Sequence, residues 1–235
     1  MKGMIMNMKI CYDFHIHSCL SPCGSDDMTP EMIINCATAK ELDAVALTDH
    51  NTTGNCEAFL YYAKKSGITA FAGMELQTAE DIHVVCLFKE LKEAGSFDEY
   101  VSSKLPDIKN DTDIFGNQIK YNVNGDNDII SKLLLVGADI PFYGLYELVA
   151  EFGGIAIPAH ADKDSFSMKS VLGSVDKLYG FPLVELLDEN NNEGLRYIQS
   201  SDSHNIDTFF DSPYRIIEVK NNTKEEIFRY LKGDY

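Results

Sequence analysis

Short apolar runs recur along this chain, and nearly every one carries a histidine or a carboxylate at one end. KICYDF (9–14) leads into His15-Ile16-His17, DAVALT (43–48) into Asp49-His50, and ITAFAGMEL (68–76) holds Glu75. IHVVCLF (82–88) carries His83 near its start, GGIAIPAH (153–160) ends on His160, and LRYIQSSD (195–202) ends on Asp202, two residues before His204. FPLVELL (181–187) and YRIIEV (214–219) complete the set. Runs this short and this apolar read as strands buried on both faces, and the helical stretches between them point to parallel βα units. Helices are expected over about 30–40, 54–65 and 223–231. Thr29-Pro30 places proline in a first helical turn, and Thr223 with Glu226 has capping-box spacing. A chain alternating in this way is α/β, either a barrel or a doubly wound sheet.

The chain of 235 residues is long enough for one sizeable core, so a single domain over 1–235 is the simplest organisation. Residues 89–145 break the alternation. They are polar and rich in Asn and Asp, with a helix expected near 96–105 and an Asn124-Gly125 turn between YNV and DII that suggests a hairpin. Such an insertion serves as a lid, as a substrate wall or as a plain connector. The net charge of −17 repels phosphate polymers and anionic lipid. Non-specific duplex nucleic acid and membrane surfaces are therefore not expected as partners. A small phosphorylated substrate stays open, because bound metal ions reverse the local field. No apolar run reaches the ~20 residues of a membrane span. The start MKGMIMNMKICYDF lacks the features of a secretory leader, so a cytoplasmic location is expected. The six cysteines all fall by Cys86 without a CxxC pair, which suggests reduced thiols; Cys19 and Cys23, beside the His15-Ile16-His17 motif, stay open as site residues.

All six histidines border expected strands. In extended chain, positions i and i+2 face the same way, so His15 and His17 can reach one ion, as can Asp202 and His204. One such histidine alone would read as a satisfied structural residue. Together they fall at strand ends, where barrels and open sheets place their sites. Imidazoles mixed with carboxylates suit Zn, Mn or Fe. The set exceeds what one tetrahedral ion needs, so two to three divalent ions are expected, with Glu75 and Asp202 as bridging candidates. A metal-activated hydroxide surrounded by His15, His17, His50, Glu75, Asp202 and His204 is suited to phosphoester hydrolysis, and amide or ester hydrolysis is compatible with the same chemistry.

The ordered set HIH (15–17), TDH (48–50), GME (73–75), His83, PAH (158–160) and SDSH (201–204) resembles the PHP (polymerase and histidinol phosphatase) superfamily. The resemblance spans about residues 11–205 outside the insertion. It implies a distorted seven-stranded (β/α) barrel with a trinuclear site on the C-terminal rim. By motif, a first metal takes His15, His17, Glu75 and Asp202. Glu75 bridges to a second with His83 and His160, and a third takes His50 and His204. Asp13 and Asp49 then resemble partners that fix imidazole tautomers. Compact members of the superfamily hydrolyse phosphoesters of nucleotides, nucleoside bisphosphates and short RNA ends, and others resemble histidinol phosphatase. One departure stands out. Where the family has an Asp ligand shortly after HxH, this chain places Cys23, with Asp26 and Asp27 close behind. Three readings compete: Cys23 ligates as thiolate, Asp26 or Asp27 supplies the oxygen, or the third metal is weak or absent.

Lys163 follows PAH closely, and Arg215 follows the last motif. Either can face a substrate phosphate, and either can be an ordinary surface charge. Glu185 ends its strand and can support a ligand. Two other functions remain in play: a non-catalytic regulatory metal-binding module, and an amidohydrolase-like enzyme, whose usual bridging lysine has no candidate at a strand end here.

Overall fold

The computed structural model describes residues 7–175 and 177–234; the first six residues of the N-terminal stretch read above for a leader lie outside them. The elements in order are β1 (Met8–Asp13), α1 (Pro30–Ala39), β2 (Ala44–Leu47), α2 (Cys56–Ser66), β3 (Thr69–Gln77), β4 (His83–Phe88), α3 (Leu91–Lys104), α4 (Thr112–Phe115), β5 (Ile119–Tyr121), β6 (Asn127–Ile129), α5 (Leu145–Glu151), β7 (Ile155–Pro158), α6 (Met168–Leu172), β8 (Val184–Glu185), β9 (Tyr197–Ile198), α7 (Ile206–Asp211), β10 (Arg215–Val219) and α8 (Lys224–Lys232). The expected helix starts are found. Thr29 Oγ1 accepts the Met32 N–H ahead of Pro30 in α1, and Thr223 Oγ1 accepts the Glu226 N–H in α8.

Six strands form one curled sheet in the order β10-β1-β2-β3-β4-β7. β1, β2 and β3 run parallel, but β4 is antiparallel to both its neighbours and β10 is antiparallel to β1. The expectation of uniformly parallel strands fails at β4 for a geometric reason: the connection 78–82 is far too short for a crossover, which takes a dozen residues or more. The expected strands at 181–187 and 195–202 shrink to the parallel pair β8–β9, a separate two-stranded ladder. Pro182 removes one ladder donor there. The curl is closed by single hydrogen bonds at the rim: Ala161 N–H to Glu185 O, 2.7 Å, Asp202 N–H to His15 O, 3.0 Å, and His17 N–H to Ser203 O, 3.0 Å. The structure thus shows a curled six-stranded sheet rather than one continuous seven-stranded ladder.

Alternation along the strands splits the core in two. Ile10, Tyr12, Phe14, Ala46, Phe71, Val85, Ile157, Leu183 and Ile198 fill the inside of the curl, and Ile227, Phe228 and Leu231 of α8 pack against them. Val45, Leu47, Ala72, Val84 and Cys86 face outward onto α1, α2 and α3 through Ile33, Phe59 and Phe97. Inward parity carried up each strand leads to Glu75, His83, Glu185 and Asp202. In β1 the alternation slips by one residue. Phe14 belongs to the inner cluster and Ile16 to the outer, so His15 and His17 both turn inward. A second slip, between Ala159 inside and Ala161 outside, goes with a left-handed His160 at φ 30°.

The 89–145 insertion packs over the loops that follow β1 and β2. Ile119 N–H donates to Cys19 O, Asn55 Nδ2 donates to Ile119 O, and the Asn51 amide donates to Leu134 O and Val136 O. β5 and β6 form the expected hairpin around Gly125, and α3 begins earlier than expected. Residues 89–145 therefore rest on the loops beside the histidine cluster.

Candidate metal centre

The histidines converge on one carboxylate. Glu75 Oε1 lies 2.9 Å from His83 Nδ1, 3.0 Å from His160 Nε2 and 3.3 Å from His15 Nε2. Its Oε2 lies 3.0 Å from His50 Nδ1 and 3.4 Å from His17 Nε2. Asp202 Oδ1 closes the far side, 3.4 Å from His15 Nε2 and 3.3 Å from His17 Nε2. Three donor groups emerge: His15, His17, Glu75 and Asp202; His50, Glu75 and His83; and His17, His50 and His204. β4 explains why His83 joins although it opens its strand. Because β4 runs against β3, its first residue lies on the same rim as the last residues of the others.

The protein holds these rings in one tautomer. The Ser21 hydroxyl donates to Asp49 Oδ1 at 2.7 Å, so its oxygen is left to accept from His17 Nδ1–H at 2.9 Å and from the His50 backbone N–H at 3.1 Å. The Ser18 hydroxyl donates to Asp49 Oδ2 at 2.6 Å, and Asn55 Nδ2 donates to Ser18 Oγ. His15 Nδ1–H donates to Glu185 Oε1 at 2.9 Å, and the same oxygen accepts the His160 backbone N–H. Both Nε2 lone pairs of the His15–His17 pair therefore point into the centre, only 3.1 Å apart. That spacing suits two nitrogens directed at one ion, and in its absence a single ring proton shared between them.

Charge tells the same story. Burial opposes ionisation of Glu75 and Asp202, yet the imidazoles around them hold both carboxyls well below their usual range. Burial likewise disfavours a charged His17, but Asp202 and Glu75 outweigh it and raise His17 to about 9. Burial lowers His50 to about 4, and burial with the neighbouring His17 lowers His204 to about 3. The pocket demands positive charge and offers neutral lone pairs to receive it. Buried His50 Nδ1, His83 Nε2, His160 Nδ1 and Asp202 Oδ1 have no hydrogen-bond partner. Ligand atoms on one ion at ~2.1 Å stand about 3.0 Å apart in an octahedron and about 3.4 Å in a tetrahedron. The spacings around Glu75 match, so the residues fit divalent metal.

The other expected residues fall in different places. Asp13 touches no imidazole: it accepts the backbone N–H of Ser201 at 3.0 Å and stands 3.9 Å from Arg215. Asp49 acts on His17 only through Ser21. Arg215 is committed to Asp13 and to Pro213 O, away from the donor groups. Lys163 Nζ lies 3.6 Å from Asp202 Oδ2 and remains partly exposed at the mouth. Cys23 is exposed as a residue and belongs to none of the donor groups, while partial desolvation of its thiol and the nearby Glu75 charge push it up to about 12. Asp26 accepts from Asn117 on the insertion, and Asp27 is exposed. Cys19 is buried, its thiol directed at Ile119 O. Sequence reasoning missed Ser18, Ser21 and Asn55, since no spacing rule marks a serine that accepts from a histidine. It also missed Phe166, whose ring stacks on His83 with centroids 5.0 Å apart.

Fold and donor set together are those of a PHP domain. The chain belongs to the PHP domain family, whose sequence profile matches residues 13–233. A search of curated proteins finds no match. Among solved structures, the lesion-specific endonuclease EndoQ of Pyrococcus furiosus superposes with a TM-score of 0.69 at 21% identity, over 96% of this chain and 56% of that one. An endonuclease Q complex with a 27-mer duplex bearing an abasic lesion gives 0.67 at 20% identity, over 96% and 57% of the two chains. This chain thus spans little more than half of those proteins. A two-domain protein of Bacteroides vulgatus, containing a PHP-like metal-dependent phosphoesterase assigned by prediction, gives 0.56 at 16% identity, over 96% and 63%. At these identities the likeness concerns the fold. No helix among the described residues is long and apolar enough to cross a membrane.

Proposed function

We propose that this chain hydrolyses a phosphomonoester carried by a nucleotide, a nucleoside bisphosphate or a short RNA end, in the cytoplasm. The observation that carries the reading is Glu75: one carboxylate, buried at 1% exposure, faced by five imidazoles and flanked by Asp202. That arrangement suits a bridging ligand between ions. In this reading the curled sheet with its β8–β9 pair is the distorted seven-stranded barrel of the family, and β10 is an added edge strand. His15, His17, Glu75 and Asp202 hold one ion. His83 and His160, sharing Glu75, would hold a second. His50 and His204 would hold a third. Zn, Mn and Fe all suit this donor set.

Divalent ions held there supply Lewis acidity, which lowers the pKa of water and neutralises charge developing on a phosphoryl group. The chain's own groups do the rest. Glu185 and the Ser21–Asp49 pair keep the Nδ1 protons of His15 and His17 turned away from the centre. Lys163 stands at the mouth, where its ammonium can meet the non-bridging oxygens of a phosphate. His204, partly exposed, donates from Nδ1 to Asp202 O at 2.8 Å and so presents Nε2 as its proton acceptor. The insertion and the loop after β7 restrict water on two sides.

The likeness to endonuclease Q supports a second reading, a phosphodiester in a nucleic acid strand. The net charge of −17 weighs against long duplex partners, because the far field opposes approach of a polyanion. A histidinol-phosphatase-like activity and a regulatory metal module are the remaining alternatives. Phosphate release is measured from nucleoside monophosphates, 3′,5′-bisphosphates, short RNA and histidinol phosphate, with Mn, Zn or Fe added in turn. Release should track metal and vanish in His17→Ala and Asp202→Ala, with circular dichroism unchanged. Turnover retained in both variants refutes the site, and metal binding without turnover of any substrate refutes the enzyme.

A further inference from the structure

The loop between β7 and α6 carries two features that metal binding does not use. Phe166 is a large apolar side chain left 45% exposed. It sits at φ 51°, in the left-handed region that a bulky residue rarely adopts. Its ring lies nearly parallel to that of His83, with an interplanar angle of 20°. Lys163, three residues earlier, aims its ammonium at Asp202. The loop is pinned rather than loose. His83 N–H donates to Phe166 O at 3.0 Å, Lys163 N–H donates to His160 O at 2.9 Å, and Lys169 N–H donates to Ala161 O at 3.0 Å. The Ser167 hydroxyl donates to Lys163 O. Backbone in this region persists because these bonds over-determine it.

We propose that Phe166 is a stacking platform for a planar ring on the organic part of the substrate, working with Lys163 as the phosphate contact. One face of Phe166 covers His83, and the exposed remainder lies beside the donor groups that His83 joins. An aromatic face binds nucleobases without distinguishing among them, because every base offers a π surface. The substrate class is then a phosphoester whose phosphate and planar heteroaromatic ring lie within one nucleotide of each other. This inference rests on the phosphoesterase reading and narrows it: a bare sugar phosphate should be handled without help from Phe166.

The test uses two arms. In the first, wild type, Phe166→Leu and Phe166→Tyr are compared on a nucleoside 5′-monophosphate and on ribose 5-phosphate. Leucine keeps the cover over His83 but removes the ring. It should lower kcat/KM for the nucleotide by roughly 10- to 100-fold, leave ribose 5-phosphate unchanged, and be rescued by tyrosine. Equal loss on both substrates, or no loss on the nucleotide, overturns the proposal and makes Phe166 a mere cover for His83. The second arm does not depend on turnover. The chain has no tryptophan, so Phe166→Trp introduces a single indole at the platform that can be excited apart from the tyrosines. In the zinc-loaded variant, the nucleotide should quench it saturably and ribose 5-phosphate should not. Quenching that is absent, or equal for both ligands, overturns the platform. Saturable quenching by the nucleotide without hydrolysis by wild type sustains the platform and refutes the phosphoesterase reading instead.

Discussion

Glu185→Gln separates support of the metal centre from ligation. Glu185 is 2% exposed, and its Oε1 accepts both the His15 Nδ1–H at 2.9 Å and the His160 backbone N–H at 3.1 Å. The glutamine keeps an oxygen for both donors and removes only the negative charge. The fold should therefore persist, while the basicity of His15 Nε2 falls. Partners of this kind typically contribute 10- to 100-fold in metal affinity, which corresponds to about 1.4–2.8 kcal/mol. Glu185→Ala is more severe, because two buried donors lose their acceptor at about 1–3 kcal/mol each. It should lower stability as well as affinity. Metal-free protein is titrated with Zn against a chromophoric chelator, and thermal unfolding is followed in parallel. For Glu185→Gln the expected result is a Kd raised by roughly 10- to 100-fold with little change in Tm, and activity restored by excess metal. An affinity within twofold of wild type refutes the claim that Glu185 tunes His15. A Tm loss as large as that of Glu185→Ala refutes the claim that the amide preserves both hydrogen bonds.

Two further predictions concern the scaffold. Lys40 is buried at 3% exposure, and its ammonium donates to Phe209 O, Phe210 O and Ser212 O at the end of α7, the helix that follows the Asp202–His204 loop. Lys40→Met should cost about 2–4 kcal/mol, or roughly 5–15 °C in Tm for a chain of this length; a loss below ~2 °C refutes the clamp. Asp162 accepts from Leu187 N–H, Asp188 N–H and Asn191 Nδ2, donors that outweigh burial and hold its carboxyl below the usual range. A depressed folded pKa means that its stabilisation is complete above the unfolded value of about 3.9 and is lost as pH falls through the lower folded one. In urea unfolding, Asp162→Asn should be less stable than wild type at pH 6, and the gap should narrow toward pH 3. A gap independent of pH refutes the assignment.

The histidine cluster was legible because its chemistry is local. His15 and His17, and Asp202 and His204, announce themselves by spacing, and Thr-Asp-His or Pro-Ala-His closing an apolar run places a ligand at a strand end. The helix starts at Thr29 and Thr223 were legible for the same reason, since a cap needs only its own first turn. The partners of the ligands were not. Ser21 reaches His17 and Asp49 only because the loop after β1 folds back onto the loop after β2. Arg215 looked available for phosphate until β10 paired with β1 and set it against Asp13. Cys23 aligned with a ligand position, yet the loop that carries it leaves it at the surface.

Short apolar runs, strand-end histidines and the carboxylates Glu75 and Asp202 pointed on their own to an α/β chain with candidate metal donors on one rim, because run length and residue type are properties of the local chain. Only the tertiary structure decided which way each strand runs, and that direction brought His83 to the rim. It also decided that the alternation slips at Phe14–His15 and near His160, turning candidate ligands inward, and that the Phe166 ring lies on His83 with part of it exposed. These depend on which strand lies beside which and on loops meeting across the rim, contacts between residues far apart in sequence that no local pattern encodes.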